Sequence, residues 1–197
     1  MANREKKELL NAADTGRTIE RLANEIIQKT GTQHGTALVG IRRRGVPLAQ
    51  RIARKIRAAT GAEVPIGVLD ITLYRDDLSL AATHPVVQSS DIPFSVDDRD
   101  LILVDDVLFT GRTIRAAMNG LFDLGRPRRI LLCVLVDRGH RELPIEPTYT
   151  GTRVETAADE LVDVRLTETD GEDRVVLAER APGADARGRE WPAGGAS

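Results

Sequence analysis

Apolar residues recur along this chain with two periods. Between Thr18 and Thr30, Ile19, Leu22, Ala23, Ile26 and Ile27 fall at helical spacing, with Glu20, Arg21, Asn24, Gln28 and Lys29 opposite, which predicts an amphipathic first helix. The run TALVGI, Thr36 to Ile41, is short, apolar and β-rich, and reads as a strand. After the loop RRRG, Leu48, Ala49, Ile52, Ala53 and Ile56 share one face of a helix predicted over Val46 to Ala59. PIGVLDITLY supplies a second strand. LILV at Leu101 to Val104 supplies a third, followed by a helix with Ile114, Ala117, Met118, Leu121 and Phe122 on one side. The strand ILLCVLV, Ile130 to Val136, comes next. Strands alternating with helices imply an α/β fold with a mostly parallel sheet covered on both faces.

Two stretches break the pattern. Arg75 to Asp98 is polar, contains Pro85 and Pro93, and reads as a long mobile loop, with a hairpin as an alternative; loops of that length in compact domains are functional or disordered. Beyond Val136 the pattern turns irregular through DRGHRELPIEP, then offers two short strands near Glu160 to Thr167 and Arg174 to Glu179, expected to form a small lobe over the sheet edge. We expect residues 1–180 to form one domain and 181–197, rich in Gly, Ala and Pro, to be a disordered tail.

Composition narrows this picture. With 197 residues and 41% apolar content the chain can bury one good core. The net charge of −2 gives no overall attraction to nucleic acid, so any RNA contact needs basic residues gathered on one face. The single cysteine, Cys133, lies inside an apolar strand and reads as a small buried side chain. No stretch reaches the length of a membrane span and the N-terminus has no apolar signal core, so a soluble cytoplasmic protein is expected. His34, His84 and His140 are scattered without ligand spacing, which argues against a protein-held zinc.

The chemistry concentrates in LILVDDVLFTGRTI. A buried strand ends at adjacent carboxylates, Asp105 and Asp106, and a short loop passes Val107, Leu108, Phe109, Thr110 and Gly111 into a helix. Ligands of open α/β sheets sit at the carboxyl ends of strands. The helix start offers unpaired N–H groups, Thr110 and Thr113 add hydroxyls, and Gly111 lets the backbone close in, which together suit a phosphate monoester. The carboxylates can accept hydrogen bonds from a vicinal diol. Phosphate plus diol means ribose 5-phosphate. A Walker A loop fails here, because Asp106 stands where its first glycine belongs and Arg112 replaces the lysine. A receiver-type Asp pair fails because too little chain follows. A capped helix after two solvated aspartates remains the bland alternative.

LVDDVLFTGRT resembles the phosphoribosyl pyrophosphate (PRPP) motif of type I phosphoribosyltransferases. LVGIRRRG, DITLYRDDLS, GRPRRI and VLVDRGHRELPI narrow the resemblance to the PyrR family, bifunctional pyrimidine operon attenuators and uracil phosphoribosyltransferases, over roughly Leu10 to Glu179. The resemblance implies the type I phosphoribosyltransferase fold, with a small hood lobe and a long flexible loop. It implies that uracil and PRPP give UMP and pyrophosphate, with Mg2+ arriving bound to PRPP and no metal held mainly by protein. Asp105 and Asp106 would contact the ribose hydroxyls, Thr110 to Thr113 the 5'-phosphate, and the Arg42–Gly45 loop the pyrophosphate through backbone amides and Arg44. Arg43 stands where the family often has threonine.

Arg75, at the base of the long loop, is the candidate to close over the leaving pyrophosphate, where charge-assisted hydrogen bonds strengthen in the transition state; an exposed ion pair with Asp76 or Asp77 is the rival reading. Phe109 cannot accept a proton, so this loop carries no side-chain general base. Val136, Asp137 and Arg138 would read uracil, mainly through backbone groups. The family also binds a folded RNA in response to UMP or UTP across a homodimer or larger homo-oligomer. The implied contacts to pyrimidine-operon mRNA are Arg21, Lys29, His140, Arg141 and Arg153, while Glu20 and Asn24 replace a threonine and a histidine frequent in relatives. A regulator with little catalysis, or transfer to another base such as orotate or a purine, are the alternatives.

Overall fold

The computed structural model describes residues 4–31, 35–71 and 90–179. Arg75, His34, His84, most of the long loop and the C-terminal tail lie outside the described residues. Five parallel strands form the main sheet: β2 (Thr36–Ile41), β3 (Ile66–Leu69), β4 (Asp100–Leu108), β5 (Arg129–Asp137) and β6 (Tyr149–Arg153), in the order β3-β2-β4-β5-β6. The register between β2 and β4 runs from Thr36↔Asp100 to Gly40↔Val104, and that between β4 and β5 from Asp100↔Arg129 to Leu108↔Asp137.

Side chains of one strand alternate between faces, and the two cores follow that alternation. Ile102 and Val104 pack with α1 (Ala12–Thr30) and α2 (Gly45–Thr60) through Ile19, Leu22, Ile26, Leu48, Ile52 and Ile56. Leu101 and Leu103 face the other way, toward α3 (Arg112–Leu124) through Ile114, Ala117 and Leu121. Cys133 is buried in the first core, and burial pushes its thiol up to about 12, as expected of a packing residue. Phe122 departs from expectation. It is 57% exposed, because the next helical position after buried Leu121 is rotated about 100° away from the sheet.

The irregular stretch also divides differently. Within it, residues up to 89 fall outside the described structure; beyond them Asp91 bridges to Val68, and Ile92, Phe94 and Val96 pack into the second core. Alternation at those three positions went unread because two prolines and several acids surround them. The small lobe is a three-stranded antiparallel sheet, β1 (Arg4–Leu10), β8 (Arg174–Glu179) and β7 (Glu160–Arg165), in that order. β1 was not anticipated. Its sequence REKKELL is charged at nearly every position; an Arg174–Glu8 contact of 2.7 Å reinforces its pairing with β8, and Arg165 of β7 reaches across the sheet to Glu5 at 2.6 Å. Among the described residues, no helix is long and apolar enough to cross a membrane.

The hood is fastened to α2 by ion pairs through the short helix α4 (Thr167–Asp170). Arg51 donates through Nε to Glu168 at 2.8 Å and through Nη1 to Asp173 at 2.7 Å, with a side chain only 15% exposed. Asp173 is held down to about 2, foremost by Arg51. A depressed carboxylate stabilises the fold above its unfolded pKa near 4 and loses that contribution as pH falls through the folded value. Arg51→Ala should cost about 2 kcal/mol at pH 7, and denaturant melts of the two proteins should converge as pH falls from about 4 toward 2.

Candidate active site

The strand order reverses between β2 and β4. The chain runs outward from β2 to β3 by way of α2 on one face, returns to the centre, and leaves β4 by α3 on the other face. The two loops therefore part at the carboxyl ends of β2 and β4 and leave a crevice, the usual ligand position in such sheets. Gly45, at the start of α2, is packed so tightly on β4 that a Cβ would collide with the Val104 carbonyl oxygen. Its absence lets the Arg42–Arg44 loop, whose Arg42–Arg43 peptide is cis, lie beside Asp105.

Asp105 is buried and Asp106 partly so. One oxygen of each accepts a backbone N–H, Asp105 Oδ1 from Asp106 and Asp106 Oδ1 from Val107, both at 3.0 Å. Desolvation, then the charge of Asp106, raises the Asp105 carboxyl well above its usual range; desolvation also raises Asp106, against the field of Arg44. The loop then reaches Gly111, whose φ of 90° admits glycine readily, and α3 begins at Arg112 with no acid in its first turn. The first N–H groups of a helix lack partners within it, and here the Arg112 N–H lies 3.4 Å from Thr110 Oγ1; a helix start of this kind is a favourable seat for a phosphate.

Arg44 and Arg43 both stand on the β2 loop. The Arg44 guanidinium is bidentate to Asp170 of the hood, Nε to Oδ2 at 3.1 Å and Nη2 to Oδ1 at 2.9 Å, and its field reaches Asp106. Asp170 was not singled out by sequence; a carboxylate 126 residues away in an irregular tail carries no local signal.

The third wall comes from β5 and the segment after it. Asp137 and Arg138 are buried, and Val136 is wholly so. The Arg138 guanidinium lies 4.1 Å from the Phe109 ring centroid, and His140 meets the same ring edge-on at 5.8 Å. His140 Nε2 sits 2.7 Å from the Thr156 carbonyl oxygen, which can only accept, so that nitrogen carries the hydrogen. Arg141 braces the loops: it donates to Ile145 O at 2.9 Å, Phe109 O at 3.0 Å and Asp137 Oδ1 at 2.7 Å. Glu142 and Leu143 add N–H donors to Thr110 O at 3.0 and 3.2 Å, and Arg112 pairs with Glu142 at 2.6 Å. A cavity of about 530 Å³ adjoins this wall, lined by Asp137, Arg138, His140, Arg153 and Thr156.

Of the remaining cations, Arg21 bonds Glu25 and the Thr150 and Gly151 carbonyls, Lys29 reaches Thr148 O at 3.3 Å, and Arg153 is 75% exposed. They stand along the edge strand β6, apart from the carboxylate pair.

The fold and this crevice define a phosphoribosyltransferase: residues 5–169 match the family described as Phosphoribosyl transferase domain. Solved hypoxanthine phosphoribosyltransferases share the architecture, that of Trypanosoma cruzi with substrates bound at a TM-score of 0.68 and 19% identity over 89% of this chain and 96% of that one. A hypoxanthine-guanine enzyme from Bacillus anthracis gives 0.64 and 16% over 90% and 99%. Sequence is more specific. The chain belongs to the PyrR family: it is 54% identical to the Bifunctional protein PyrR of Pelotomaculum thermopropionicum over 90% of this chain and 98% of that protein. To the Thermus thermophilus protein of the same name it is 56% identical over 89% and 97%.

The raised Asp105 carboxyl gives a test of the site. Native Asp105 binds its proton more tightly than the unfolded chain does, so its contribution to stability is full below about pH 4 and is lost as pH rises through the raised value. At neutral pH the buried carboxyl is a net cost, whether it keeps its proton or ionises. Asp105→Asn keeps the acceptor for the Asp106 N–H and removes that cost. It should stabilise the protein by about 1–2 kcal/mol at pH 7, less in acid, while lowering nucleotide synthesis about 100-fold. Thermal melts across pH, run beside turnover, read both.

Proposed function

We propose that this chain transfers ribose 5-phosphate from PRPP to uracil, yielding UMP and pyrophosphate, and that it also binds RNA of pyrimidine genes in response to uridine nucleotides. The observation that carries the enzyme reading is the buried pair Asp105 and Asp106, set between the Thr110–Thr113 helix start and Arg44. Asp105 and Asp106 accept hydrogen bonds from the ribose 2'- and 3'-hydroxyls, and Thr110, Gly111, Arg112 and Thr113 hold the 5'-phosphate. Arg44, with the Arg43 backbone, meets the pyrophosphate, and Arg75 closes over it.

The carboxylates are hard oxygen donors and suit Mg2+ that arrives on PRPP. PRPP and water would supply the rest of its oxygens. Mg2+ would neutralise charge on the leaving pyrophosphate. The chain's own residues position the reactants and stabilise charge. As the C1'–oxygen bond to pyrophosphate breaks, the uracil N1–C1' bond forms and the N1 proton leaves to pyrophosphate oxygen or water. Phe109 holds no proton, which leaves orientation of uracil to the backbone at Val136, Asp137 and Arg138 and to the wall that Phe109 and Arg138 make.

Purified protein with PRPP, Mg2+ and each of uracil, orotate, hypoxanthine and guanine should form nucleotide with uracil alone. An Asp105→Asn, Asp106→Asn double variant should form none. Turnover with another base and not uracil would replace the substrate assignment. Binding of UMP without turnover on any base would make the chain a nucleotide sensor.

The RNA reading is favoured by Arg21, Lys29 and Arg153 along β6, with His140 and Arg141 at its carboxyl end. A homodimer or larger homo-oligomer would join two such edges into one face. UMP should change affinity for a pyrimidine-leader RNA by about 5-fold or more, as coupled sites do. Equal affinity with and without UMP in a filter-binding titration would sink the coupling.

A further inference from the structure

The amino ends of β2, β4 and β5 meet at Thr36, Asp100 and Arg129, five residues of strand and about 17 Å from Asp105. There a cleft of about 360 Å³ is lined by Lys29, Thr30, Gly31, Thr36, Asp100 and the arginine pair Arg128 and Arg129. The Asp100 side chain is only 3% exposed, and both arginines fork onto it. Arg128 donates through Nε to Oδ1 at 2.8 Å and Nη2 to Oδ2 at 2.7 Å; Arg129 donates through Nε to Oδ1 at 3.2 Å and also through Nη2.

One arginine is enough to neutralise one buried carboxylate. The second arginine and Lys29 are surplus charge in a chain whose net charge is −2. Asp98 reaches Arg128 through its field without lining the cleft. The sequence between Gly31 and Gly35, Thr-Gln-His, adds no acid. Each guanidinium spends Nε and one Nη2 hydrogen on Asp100, while the two side chains remain 61% and 54% exposed. Two guanidiniums fixed side by side by a shared anchor lose little freedom on meeting a tetrahedral oxyanion, the geometry that Arg forks match.

We infer that the Lys29–Arg128–Arg129 cleft is a second phosphate-ester site, separate from the Asp105 crevice. Its ligand is the phosphate of an RNA backbone or of a small free ester. The RNA source rests on the proposed RNA reading, since Lys29 stands on the same edge as Arg21 and Arg153; the small-ester source does not.

The test uses full-length protein and follows the arginine Nε–H resonances by NMR, with those of Arg128 and Arg129 assigned by single Arg→Lys replacements. The probes are inorganic phosphate and a pyrimidine-leader RNA stem-loop. Salt titrations of the stem-loop compare the wild type with Arg128→Gln and Lys29→Gln, both of which leave Arg129 on Asp100. With RNA as the source, the stem-loop shifts the Arg128 and Arg129 resonances. Each variant then lowers the slope of log affinity against log salt by about one, and Arg128→Gln leaves UMP synthesis unchanged. Shifts with phosphate alone, and RNA slopes equal to wild type, support the site with a small ester as ligand. Resonances that move with neither probe overturn the site, and wild-type RNA binding in the same titration shows separately whether the RNA reading stands.

Discussion

The central strand must end in two carboxylates that water hardly reaches. Burying Asp105 disfavours its charge, and the neighbouring Asp106 disfavours it further. A fold that maximised stability alone would not place them there, since surplus buried charge is a cost that packing must offset. The offset comes from β4 itself, with Leu101, Ile102, Leu103 and Val104 essentially inaccessible between two cores. Each such side chain contributes about 1.5–3 kcal/mol, enough for the strand to carry an unfavourable end. The same doubly covered position puts the pair between loops of opposite faces, in the crevice where ligands of such sheets sit.

Around that end, positioning is done by charges that are themselves held. Arg44 is fixed by Asp170, and α4 is fixed to α2 by Arg51. Two donors of the Arg44 guanidinium are committed to the hood at Asp170, and Asp163 lies 3.9 Å from the same Nη2. The hood therefore contributes orientation to the crevice it overhangs. A guanidinium already restrained gives up less entropy on binding than one free in solvent.

How far the sequence spoke depended on whether a signal was local. β2 was legible to the residue, Thr36 to Ile41, because its burial is complete and its composition β-branched and apolar. The Asp105–Thr113 segment was legible because strand, carboxylates, glycine and helix start are contiguous. β1 and β6 were not. β1 is held by cross-strand charges, and β6, YTGTR, has a single large apolar residue, Tyr149, so neither shows period-two hydrophobicity. The brace formed by Arg141, the Arg44–Asp170 pair and the Asp100 double fork join residues distant in sequence or look like surface charge until the fold brings them together.

The segment from Arg138 to Ile145 links all three regions physically. Its backbone donates to Leu108 and Thr110 in the loop after β4, Arg141 ties Phe109 to Asp137, and the chain then runs directly into β6, along which Arg21 and Lys29 lie. A ligand that orders the Phe109–Thr110 loop must therefore act on the hydrogen bonds that hold this segment just before β6. Contiguity alone does not create coupling; that requires two arrangements of the segment which the ligand distinguishes. At positive φ Gly139 is unstrained while His140 is held in a region that L side chains seldom adopt, so a rearrangement that takes His140 out of it relieves strain. The His140 ring is held in place by Thr156 and Phe109. One residue thus bears on the backbone of this turn, the wall beside Phe109 and the approach to β6, which is the economy a chain with one domain's worth of core requires if a single site is to serve two roles.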